Sequence, residues 1–411
     1  MTNVCVIGLG YIGLPTAAVL ASHGHKVVGV DVNQRAVDTI NAGRIHIVEP
    51  ELEEVVSSVV ASGALTATSS PVPADVFILT VPTPLDGQKQ ADMTLVDRAF
   101  DDVAPFLKAG DLVVLESTSP PGTTLGLDRR LGEVRPDLAA GSVLFAHAPE
   151  RVLPGKIMRE IIENDRIIGG TTDEASRRAQ ALYGSFVTGD LLVTDSTTAE
   201  MVKLTENSFR DVNIAFANEL STVSDSFGID VWEVIRLANR HPRVNIMQPG
   251  PGVGGHCIAV DPWFIVSAAN GGAALIETAR RVNDAKPKWV LERIHRAIES
   301  ISAPKVLILG LAFKANVDDL RESPAVEITQ ALAESRPEIE FAVSEPHIHE
   351  LPASLQKYSN LSLVEDLEKE FDAADVVVLL VDHDAYSTFG PRLQSGKAVI
   401  DTRGLSKNIV P

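Results

Sequence analysis

The pattern of apolar and polar positions divides the chain into three zones. In the first zone, short β-branched runs alternate with helical stretches; the runs are "NVCVIGLG", "HKVVGVD", "DVFILTVP", "DLVVLEST" and "SVLFAHAPE". Turn residues follow each run, as in a parallel sheet whose strands are connected by crossover helices. The pattern therefore predicts an α/β domain over residues 1–195.

The second zone has the periodicity of long helices. One helical pattern extends from Ser196 to Gly228, which is longer than the usual limit of about 25 residues for a globular helix. We expect such a helix to bridge domains or to lie at a subunit interface. A second helical stretch covers residues 278–301. The zone as a whole predicts a helical domain over residues 196–302.

The alternating pattern restarts at Ala303–Pro304. The apolar runs are now "KVLILGLAFK", "EFAVSEP", "DVVVLLVD" and "KAVIDTRG". They predict a second parallel sheet over residues 303–411. The predicted fold class is α/β, with two Rossmann-like doubly wound parallel-sheet domains joined by a central region of long helices.

The composition is that of a folded, acidic protein. Of its 411 residues, 45% are hydrophobic and 22% are charged, and 55 acids against 36 bases give a net charge of -19. A surface of this charge repels polyanions, so neither nucleic acid nor an anionic membrane is expected as a partner. The sequence has two cysteines, no secretory signal and no bilayer-length apolar run. These features predict a cytoplasmic protein.

A dinucleotide-binding fingerprint follows the first predicted strand. Gly8, Gly10 and Gly13 form the pattern G-x-G-x-x-G, which permits a tight turn, a close approach of pyrophosphate and close helix–strand packing. Asp31 ends the second predicted strand, where an acid binds the adenosine ribose and disfavours an extra phosphate. The context therefore predicts NAD rather than NADP. The alternative is a Rossmann-like domain with another ligand, and Arg35 either flanks the adenine or is solvated.

Cys257 lies in an unusual glycine-rich stretch, "PGPGVGGHCIAVDPW". Glycines at this density permit positive φ angles and expose backbone N–H groups, and a cysteine leaving such a loop at a helix start has a lowered pKa. The alternative is a small residue that packs a loop. His256 is interpreted as a surface residue, since no partner ligands accompany it. Asp261 has a structural explanation as the N-cap before Pro262.

A polar trio lies on one face of the long predicted helix. Lys203, Asn207 and Arg210 are spaced i, i+4 and i+7. A lysine and an amide that project together suit an oxyanion site for a thiol adduct. The usual alternative, a solvated polar face, fits the spacing equally well.

Seven motifs together resemble one family. They are "GLGYIGLP", "TVPTP", "ESTSPPGTT", "APERVLPGK", "EMVKLTENSFRDVNIAFANEL", "GPGVGGHCIAVDPW" and "GLAFKANVDDLRESPA". In this order they closely resemble the UDP-glucose/GDP-mannose dehydrogenase family, over residues 1–326. The C-terminal strands fit the UDP-binding domain of that family.

The resemblance implies a four-electron oxidation of a sugar C6 alcohol to a carboxylate by two NAD+ in turn. Cys257 matches the family nucleophile, which forms a thiohemiacetal and then a thioester. Lys203 and Asn207 match residues that stabilise the oxyanion and handle protons. Asp261 matches an acid that assists proton or water movement, and Thr118 matches a threonine that positions water near the nicotinamide.

The resemblance also carries over binding residues. The predicted cofactor-binding residues include the glycines of the fingerprint. The resemblance adds seven more: Tyr11, Ile12, Asp31, Arg35, Thr83, Thr118 and Arg321. For the nucleotide sugar it indicates Arg151, Val152, Lys203, Asn207, Arg210, His241, Arg243, Gly254, Phe313 and Lys314. The segment from His241 to Arg243 is expected to serve the site of a neighbouring subunit, because family members dimerise through the central helices. The expected assembly is a homodimer or a higher homo-oligomer, and no metal is expected.

The motifs also indicate a branch of the family. "APERVLPG" and "GPGVGGHCIAVDPWF" look most like the branch that oxidises UDP-N-acetyl-D-mannosamine for surface polysaccharide, so the expected substrate is a UDP-N-acetylhexosamine. In the UDP-glucose branch a glutamate important for thioester hydrolysis follows "PE" by four residues, and here that position is Pro154. This departure leaves the hydrolytic base unassigned and argues against UDP-glucose.

Three alternatives remain open at this point. The same reaction on UDP-N-acetylglucosamine or another UDP-hexose is the first. A non-catalytic NAD- or UDP-sugar-binding protein is the second, although it would need no thiol. A two-electron 2-hydroxy-acid dehydrogenase is the third, and it would need neither the thiol nor the third domain.

Overall fold

The computed structural model describes residues 1–255, 257–299, 301–394 and 396–406. The chain divides into two compact units. The first comprises Met1–Glu206 and Trp263–Asn270, and the second comprises Asn207–Pro262 and Gly271–Pro411. His256 lies outside the described residues, and the division into three domains stays a prediction.

The first unit is built around an eight-stranded sheet. Its strands are β1 (Asn3–Ile7), β2 (Lys26–Val30), β3 (Leu65–Thr68), β4 (Val76–Leu79), β5 (Leu112–Leu115), β6 (Leu144–His147), β7 (Arg166–Gly170) and β8 (Leu191–Asp195). Their order is β3-β2-β1-β4-β5-β6-β7-β8. Strands β2 and β3 are added on one side of β1, and the strands from β4 onward are added on its other side. Doubly wound sheets bind ligands at this switch point.

The sequence pattern identified five of these eight strands. It did not predict β3, β7 and β8, of which β3 and β8 are the edge strands. Edge strands are not buried on both faces and therefore lack a continuous apolar run. β6 and β7 pair antiparallel, whereas β7 and β8 pair parallel. The last two strands thus run opposite to the first six.

Helices cover both faces of this sheet. They are α1 (Gly13–Ser22), α2 (Gln34–Asn41), α3 (Leu52–Ala61), α4 (Thr94–Val103), α5 (Thr123–Val134), α6 (Ile157–Glu163) and α7 (Asp173–Tyr183), with a 3-10 turn at Ala104–Phe106. Along β1, Val4 and Val6 pack into one apolar core, and Cys5 and Ile7 pack into another. Successive side chains of a strand point to opposite faces. Both faces are therefore buried, which confirms the predicted doubly wound architecture.

Long helices dominate the start of the second unit. The helices are α8 (Ser196–Ser226), which begins in the first unit, α9 (Val231–Ala238), α10 (Asp261–Ala268), which ends in the first unit, and α11 (Ala274–Glu299). α8 has 31 residues and matches the helix predicted from Ser196. A buried polar network joins α8 to α11: Arg280 pairs with Asp211, and Asn283 donates to Asp211 Oδ1 over 2.8 Å.

The second unit contains a five-stranded parallel sheet. Its strands are β9 (Val306–Leu309), β10 (Phe341–Ser344), β11 (Leu361–Leu363), β12 (Val376–Leu379) and β13 (Ala398–Asp401). The order is β11-β10-β9-β12-β13, which repeats the order of the first five strands of the other sheet. Its helices are α12 (Pro324–Ser335), α13 (Ala353–Gln356) and α14 (Leu367–Ala373), with a 3-10 segment at Asp384–Gln394. The predicted second Rossmann-like fold is confirmed, and only the three-residue β11 was not predicted.

None of the helices in the described part of the chain is both long enough and apolar enough to cross a membrane.

Candidate active site

The turn between β1 and α1 has the shape of a dinucleotide cradle. Gly8 has φ +93, and a Cβ placed on it would lie 2.8 Å from the carbonyl oxygen of Thr80. A Cβ on Gly13 would lie 1.8 Å from the carbonyl oxygen of Gly8, so only glycine lets α1 start this close to the strand. Gly10 is exposed, and apart from its two chain neighbours no atom of the described residues lies within 4 Å of the corresponding position. The open side of the turn is thus available to a pyrophosphate.

Asp31 completes the cradle at the end of β2. Its carboxylate accepts hydrogen bonds from the backbone N–H of Leu9, over 3.0 Å, and of Asn33, over 2.8 Å. The two bonds fix the carboxylate beside the glycine turn while its side chain stays half-buried. This is the position from which an acid accepts ribose hydroxyls, so the residues present fit NAD.

The other predicted cofactor residues of the first unit lie around the same edge of the sheet. Tyr11 and Ile12 are part of the turn, Ile12 is the N-cap of α1, and Arg35 is exposed in the first turn of α2. Thr83 and Thr118 follow the adjacent strands β4 and β5. The hydroxyl of Ser117 donates to the carbonyl oxygen of Val81 over 2.7 Å, which joins the two threonine-bearing loops.

Lys203 is held against the loop after β6. Its ammonium donates to the backbone oxygen of Glu150 over 2.8 Å and lies 3.8 Å from the carboxylate of the same residue. The Lys203 side chain is 10% exposed, so its charge acts with little screening by water. The cation is therefore both fixed in position and partly neutralised by Glu150.

The same loop carries the first two predicted sugar-nucleotide residues. Arg151 is exposed and forms an ion pair with Glu206 over 2.8 Å. The backbone N–H of Val152 donates to the Glu150 carboxylate over 2.6 Å. Glu150 therefore shapes this loop.

A buried polar cluster lies behind this loop. Glu116 accepts hydrogen bonds from Arg166 over 2.7 Å and from Tyr183 over 2.6 Å. Burial raises the pKa of Glu116, and the neighbouring guanidinium opposes that rise. Burial also lowers the pKa of His147 to about 3, so this imidazole is neutral and adds no charge beside Lys203.

The glycine-rich segment lies in the second unit and leads to an exposed Cys257. A Cβ placed on Gly254 would lie 2.4 Å from the carbonyl oxygen of Glu322, and one on Gly255 would lie 3.0 Å from the ring of Phe313. The glycines thus let the segment pack directly against the residues after β9. The other cysteine, Cys5, is buried, and burial raises its pKa to about 11.

Asp261 and Asn207 are in direct contact in the second unit. The carboxamide of Asn207 donates to the Asp261 carboxylate over 2.5 Å, and Asp261 is 3% exposed. The backbone N–H of Asp261 donates to the carbonyl oxygen of Cys257 over 2.8 Å. Asp261 is the first residue of α10 and not the N-cap before it that the sequence predicted, and its carboxylate bonds a residue of α8.

The remaining predicted substrate residues of the second unit are mostly at its surface. Arg210, His241, Arg243 and Lys314 are exposed, and Phe313 is half-buried. The backbone N–H of Arg243 donates to the ring of His241 over 3.3 Å. Arg321 is exposed and pairs with Asp319 over 2.6 Å. Arg321 belongs to the second unit and the glycine cradle to the first, so its proposed contact with the cofactor stays a prediction.

One buried acid of the first unit was not singled out from the sequence. Glu200, on α8, accepts hydrogen bonds from the backbone N–H groups of Gly122 and Thr124 over 2.5 and 2.7 Å. It caps the start of α5 and fixes the loop that follows Thr118. The only sequence signal was an acid within the otherwise apolar and small residues that open α8.

The fold and these residues define the class of the protein as an NAD-dependent dehydrogenase of the Rossmann type. The chain belongs to the UDP-glucose/GDP-mannose dehydrogenase family. The NAD binding domain of that family matches residues 2–187, the central domain matches residues 197–285, and the UDP binding domain matches residues 307–408.

Relatives with more specific names cover nearly the whole chain. An NDP-N-acetyl-D-galactosaminuronic acid dehydrogenase from Ralstonia nicotianae is 57% identical over 98% of this chain and 96% of its own. A UDP-N-acetyl-D-mannosamine dehydrogenase from Yersinia pestis is 53% identical over 98% of this chain and 99% of its own. The solved structure of a UDP-D-ManNAc dehydrogenase from Pyrococcus horikoshii is 38% identical, with a TM-score of 0.87, over 99% of this chain and 96% of its own.

Proposed function

We propose that the protein oxidises the C6 alcohol of UDP-N-acetyl-D-mannosamine to the carboxylate of UDP-N-acetyl-D-mannosaminuronate. The observation that carries the proposal is the exposed Cys257, four residues before the Asp261 that bonds Asn207, in a chain with a complete dinucleotide cradle. A two-electron dehydrogenase needs no nucleophile. A thiol is needed where an aldehyde must be held and oxidised a second time.

The chemistry assigned to Cys257 has four steps. The alcohol is first oxidised to the aldehyde. The Cys257 sulfur then forms a bond to the aldehyde carbon while the thiol proton passes to the carbonyl oxygen, which becomes the hydroxyl of a thiohemiacetal. A second oxidation gives a thioester, and water cleaves its carbon–sulfur bond to release the carboxylate and the free thiol. Bound NAD+ supplies the oxidising capacity, accepting two electrons in each of the two oxidations.

Polar side chains are assigned to the oxygen of the substrate carbon. Lys203, fixed by the backbone of Glu150, supplies a poorly solvated positive charge. Asn207 supplies an amide that Asp261 holds in one orientation. Fixed dipoles and charges of this kind stabilise a developing oxyanion without reorganisation. Asp261 and Thr118 are assigned to proton and water movement.

The sugar N-acetyl group and its stereochemistry are inferred from the relatives. The dehydrogenases from Yersinia pestis and Pyrococcus horikoshii are named for UDP-N-acetyl-D-mannosamine. A second candidate substrate is the galacto sugar, which differs from the manno sugar at C2 and C4, because the Ralstonia nicotianae relative at 57% identity is named for N-acetyl-D-galactosaminuronic acid.

Turnover of a substrate panel tests this proposal. Purified protein with NAD+ is assayed on UDP-N-acetylmannosamine, UDP-N-acetylgalactosamine, UDP-N-acetylglucosamine and UDP-glucose. We expect the highest kcat/KM on UDP-N-acetylmannosamine. A preference for the galacto sugar would establish the second candidate, and a preference for UDP-glucose would contradict both.

We further propose that the chain forms a homodimer through α8. Phe209, Phe216 and Val223 are spaced by seven residues and are 63%, 55% and 44% exposed. Phe227, just beyond the helix, is 75% exposed. An apolar stripe with this spacing along a helix is suited to pack against an identical helix.

A further inference from the structure

The turn after β9 repeats the dinucleotide cradle of the first unit in its backbone. Gly8 has φ +93, and Gly310 has φ +92. The N–H of Gly8 donates to the carbonyl oxygen of Val30 over 2.8 Å, and that of Gly310 donates to the carbonyl oxygen of Ser344 over 2.9 Å. In each case the acceptor is the last residue of the neighbouring strand, so the two turns are equivalent.

Glu345 stands where the first unit has Asp31. It follows β10 directly, and its carboxylate accepts hydrogen bonds from the N–H groups of Leu311 and Ala312 over 2.8 and 3.0 Å. Unlike Asp31, Glu345 is buried and is bonded to His383 Nε2 over 3.0 Å. The acid that would bind a ribose in a dinucleotide site is therefore already used within the protein.

His383 connects this acid to the loop that follows the turn. Its Nδ1 accepts a hydrogen bond from the backbone N–H of Asn316 over 3.0 Å, so its proton is on Nε2 and is donated to Glu345. Asn316 has φ +62, in the left-handed region that asparagine adopts more readily than most residues, and its side-chain oxygen accepts a hydrogen bond from the N–H of Asp384 over 3.0 Å. The two bonds fix the loop at Asn316 through its backbone and its side chain.

A metal ion does not explain the cluster. Glu345, His347 and His383 place one ligand atom each within 4.8 Å of one another. Both ring nitrogens of His383 are nevertheless engaged, one as acceptor and one as donor. A neutral imidazole in this arrangement has no lone pair left for a metal.

The anchored loop carries Phe313, which packs against the segment before Cys257. A Cβ placed on Gly255 would lie 3.0 and 3.1 Å from two atoms of the Phe313 ring, and one on Gly254 would lie 3.0 Å from Phe313 Cβ. We propose that buried His383 is a positioning residue: by accepting a hydrogen bond from the Asn316 N–H, it holds residues 310–316 so that Phe313 supports the glycine segment of the nucleophile. This role rests on the proposed function of Cys257.

Two substitutions of His383 each remove one of its two hydrogen bonds and keep the other. His383→Gln places an amide near Nε2 and keeps a donor for Glu345 but leaves no acceptor for the Asn316 N–H. His383→Asn places an amide near Nδ1 and keeps that acceptor. Hydrogen exchange of the ligand-free protein is followed by mass spectrometry on peptides from 310–316 and from 245–255. His349→Asn, at an exposed histidine outside the pair, is the matched control.

We expect amide hydrogens in both segments to exchange about tenfold faster in His383→Gln than in the original protein. In His383→Asn and in the control, the exchange rates should stay close to those of the original protein. The KM for the UDP-sugar should rise about tenfold in His383→Gln, with the KM for NAD+ unchanged. Equal exchange in the Gln and Asn variants, or faster exchange in 310–316 alone, would overturn the proposal.

A second variant avoids the buried pair in case its substitutions unfold the protein. Phe313→Ala removes the ring that packs on Gly255 and leaves Glu345 and His383 intact. We expect faster exchange in 245–255, and unchanged exchange there would contradict the proposed support. Because exchange is measured without substrate, it does not depend on the proposed reaction. Failure of the reaction appears only in the turnover assay.

Discussion

The carboxamide of Asn207 donates a 2.5 Å hydrogen bond to the carboxylate of Asp261, which is 3% exposed. The bond connects the long helix α8 to the first residue of α10, four positions after Cys257. A buried donor that loses its acceptor costs the full desolvation of the group. The pair therefore contributes to stability as well as to the proposed chemistry.

Asp261→Ala should lower the free energy of unfolding by about 1–3 kcal/mol, because it leaves the Asn207 amide without this acceptor. Asp261→Asn keeps an acceptor oxygen and should lower the free energy of unfolding by a smaller amount. Urea unfolding measures both, with Asp318→Ala at an exposed acid as the control. Equal losses for the two Asp261 variants would show that the bond to Asn207 is not the cause.

Gly10→Ala should separate cofactor binding from folding. In the part of the chain that the structure describes, no atom beyond the two neighbouring residues lies within 4 Å of a Cβ at this position, so the free energy of unfolding should change by less than about 0.5 kcal/mol. The added methyl group faces the open side of the cradle and should weaken NAD+ binding by about tenfold or more. Calorimetric titration with NAD+ and urea unfolding test the two halves. Unchanged affinity would remove Gly10 from the cofactor site.

Gly13→Ala provides the contrast. Its Cβ would lie 1.8 Å from the carbonyl oxygen of Gly8, so α1 must move away from the strand. We expect a loss of about 3 kcal/mol in the free energy of unfolding, as for an overpacked core, together with the loss of NAD+ binding. A variant as stable as the original protein would contradict the close packing of this turn.

Lys286 should make stability depend on pH. Burial lowers its pKa to about 7 from an ordinary 10.5, and the nearby charge of Arg293 adds to the effect. Between these values the unfolded chain holds the proton and the folded chain does not, so stability rises with pH. Two contacts of the Lys286 ammonium favour its charged form and so oppose this effect: a 2.5 Å bond to Ser221 and the Trp289 ring at 3.6 Å. Lys286 should therefore raise the free energy of unfolding by at most about 2 kcal/mol between pH 7 and pH 9.

Lys286→Met removes this ionisation and should flatten the rise in urea midpoint between pH 7 and pH 9. Lys288→Met, at an exposed position of the same helix, should leave the rise intact. The same slope in the Lys286 variant and the original protein would assign the pH dependence to other groups.

Phe216→Glu should shift the protein from dimer to monomer. Phe216 is the middle residue of the exposed apolar stripe on α8, and a charge in the centre of such an interface is buried without a partner. Analytical ultracentrifugation measures the mass, with Leu275→Glu, at an exposed apolar residue of α11, as the control. A dimer that survives the Phe216 substitution would place the interface elsewhere.

Much of this architecture could be predicted from the sequence because its signals are local. Buried parallel strands such as β1 and β9 are continuous apolar runs, and the glycines of the cradle have a fixed spacing. Contacts between distant segments have no such signal. The bond of His383 to Glu345 and the cap that Glu200 places on α5 involve residues 38 and 76 or more positions apart. Each is an ordinary acid or histidine until the fold brings its partner close.

The number of NADH molecules formed per sugar consumed tests the central claim most directly. Purified protein with excess NAD+ and limiting UDP-N-acetylmannosamine should produce two NADH per sugar, with the carboxylate as the product. Cys257→Ser should bind NAD+ normally and fail to complete this turnover. One NADH per sugar with release of the aldehyde, or full turnover in the Cys257 variant, would contradict the thioester mechanism.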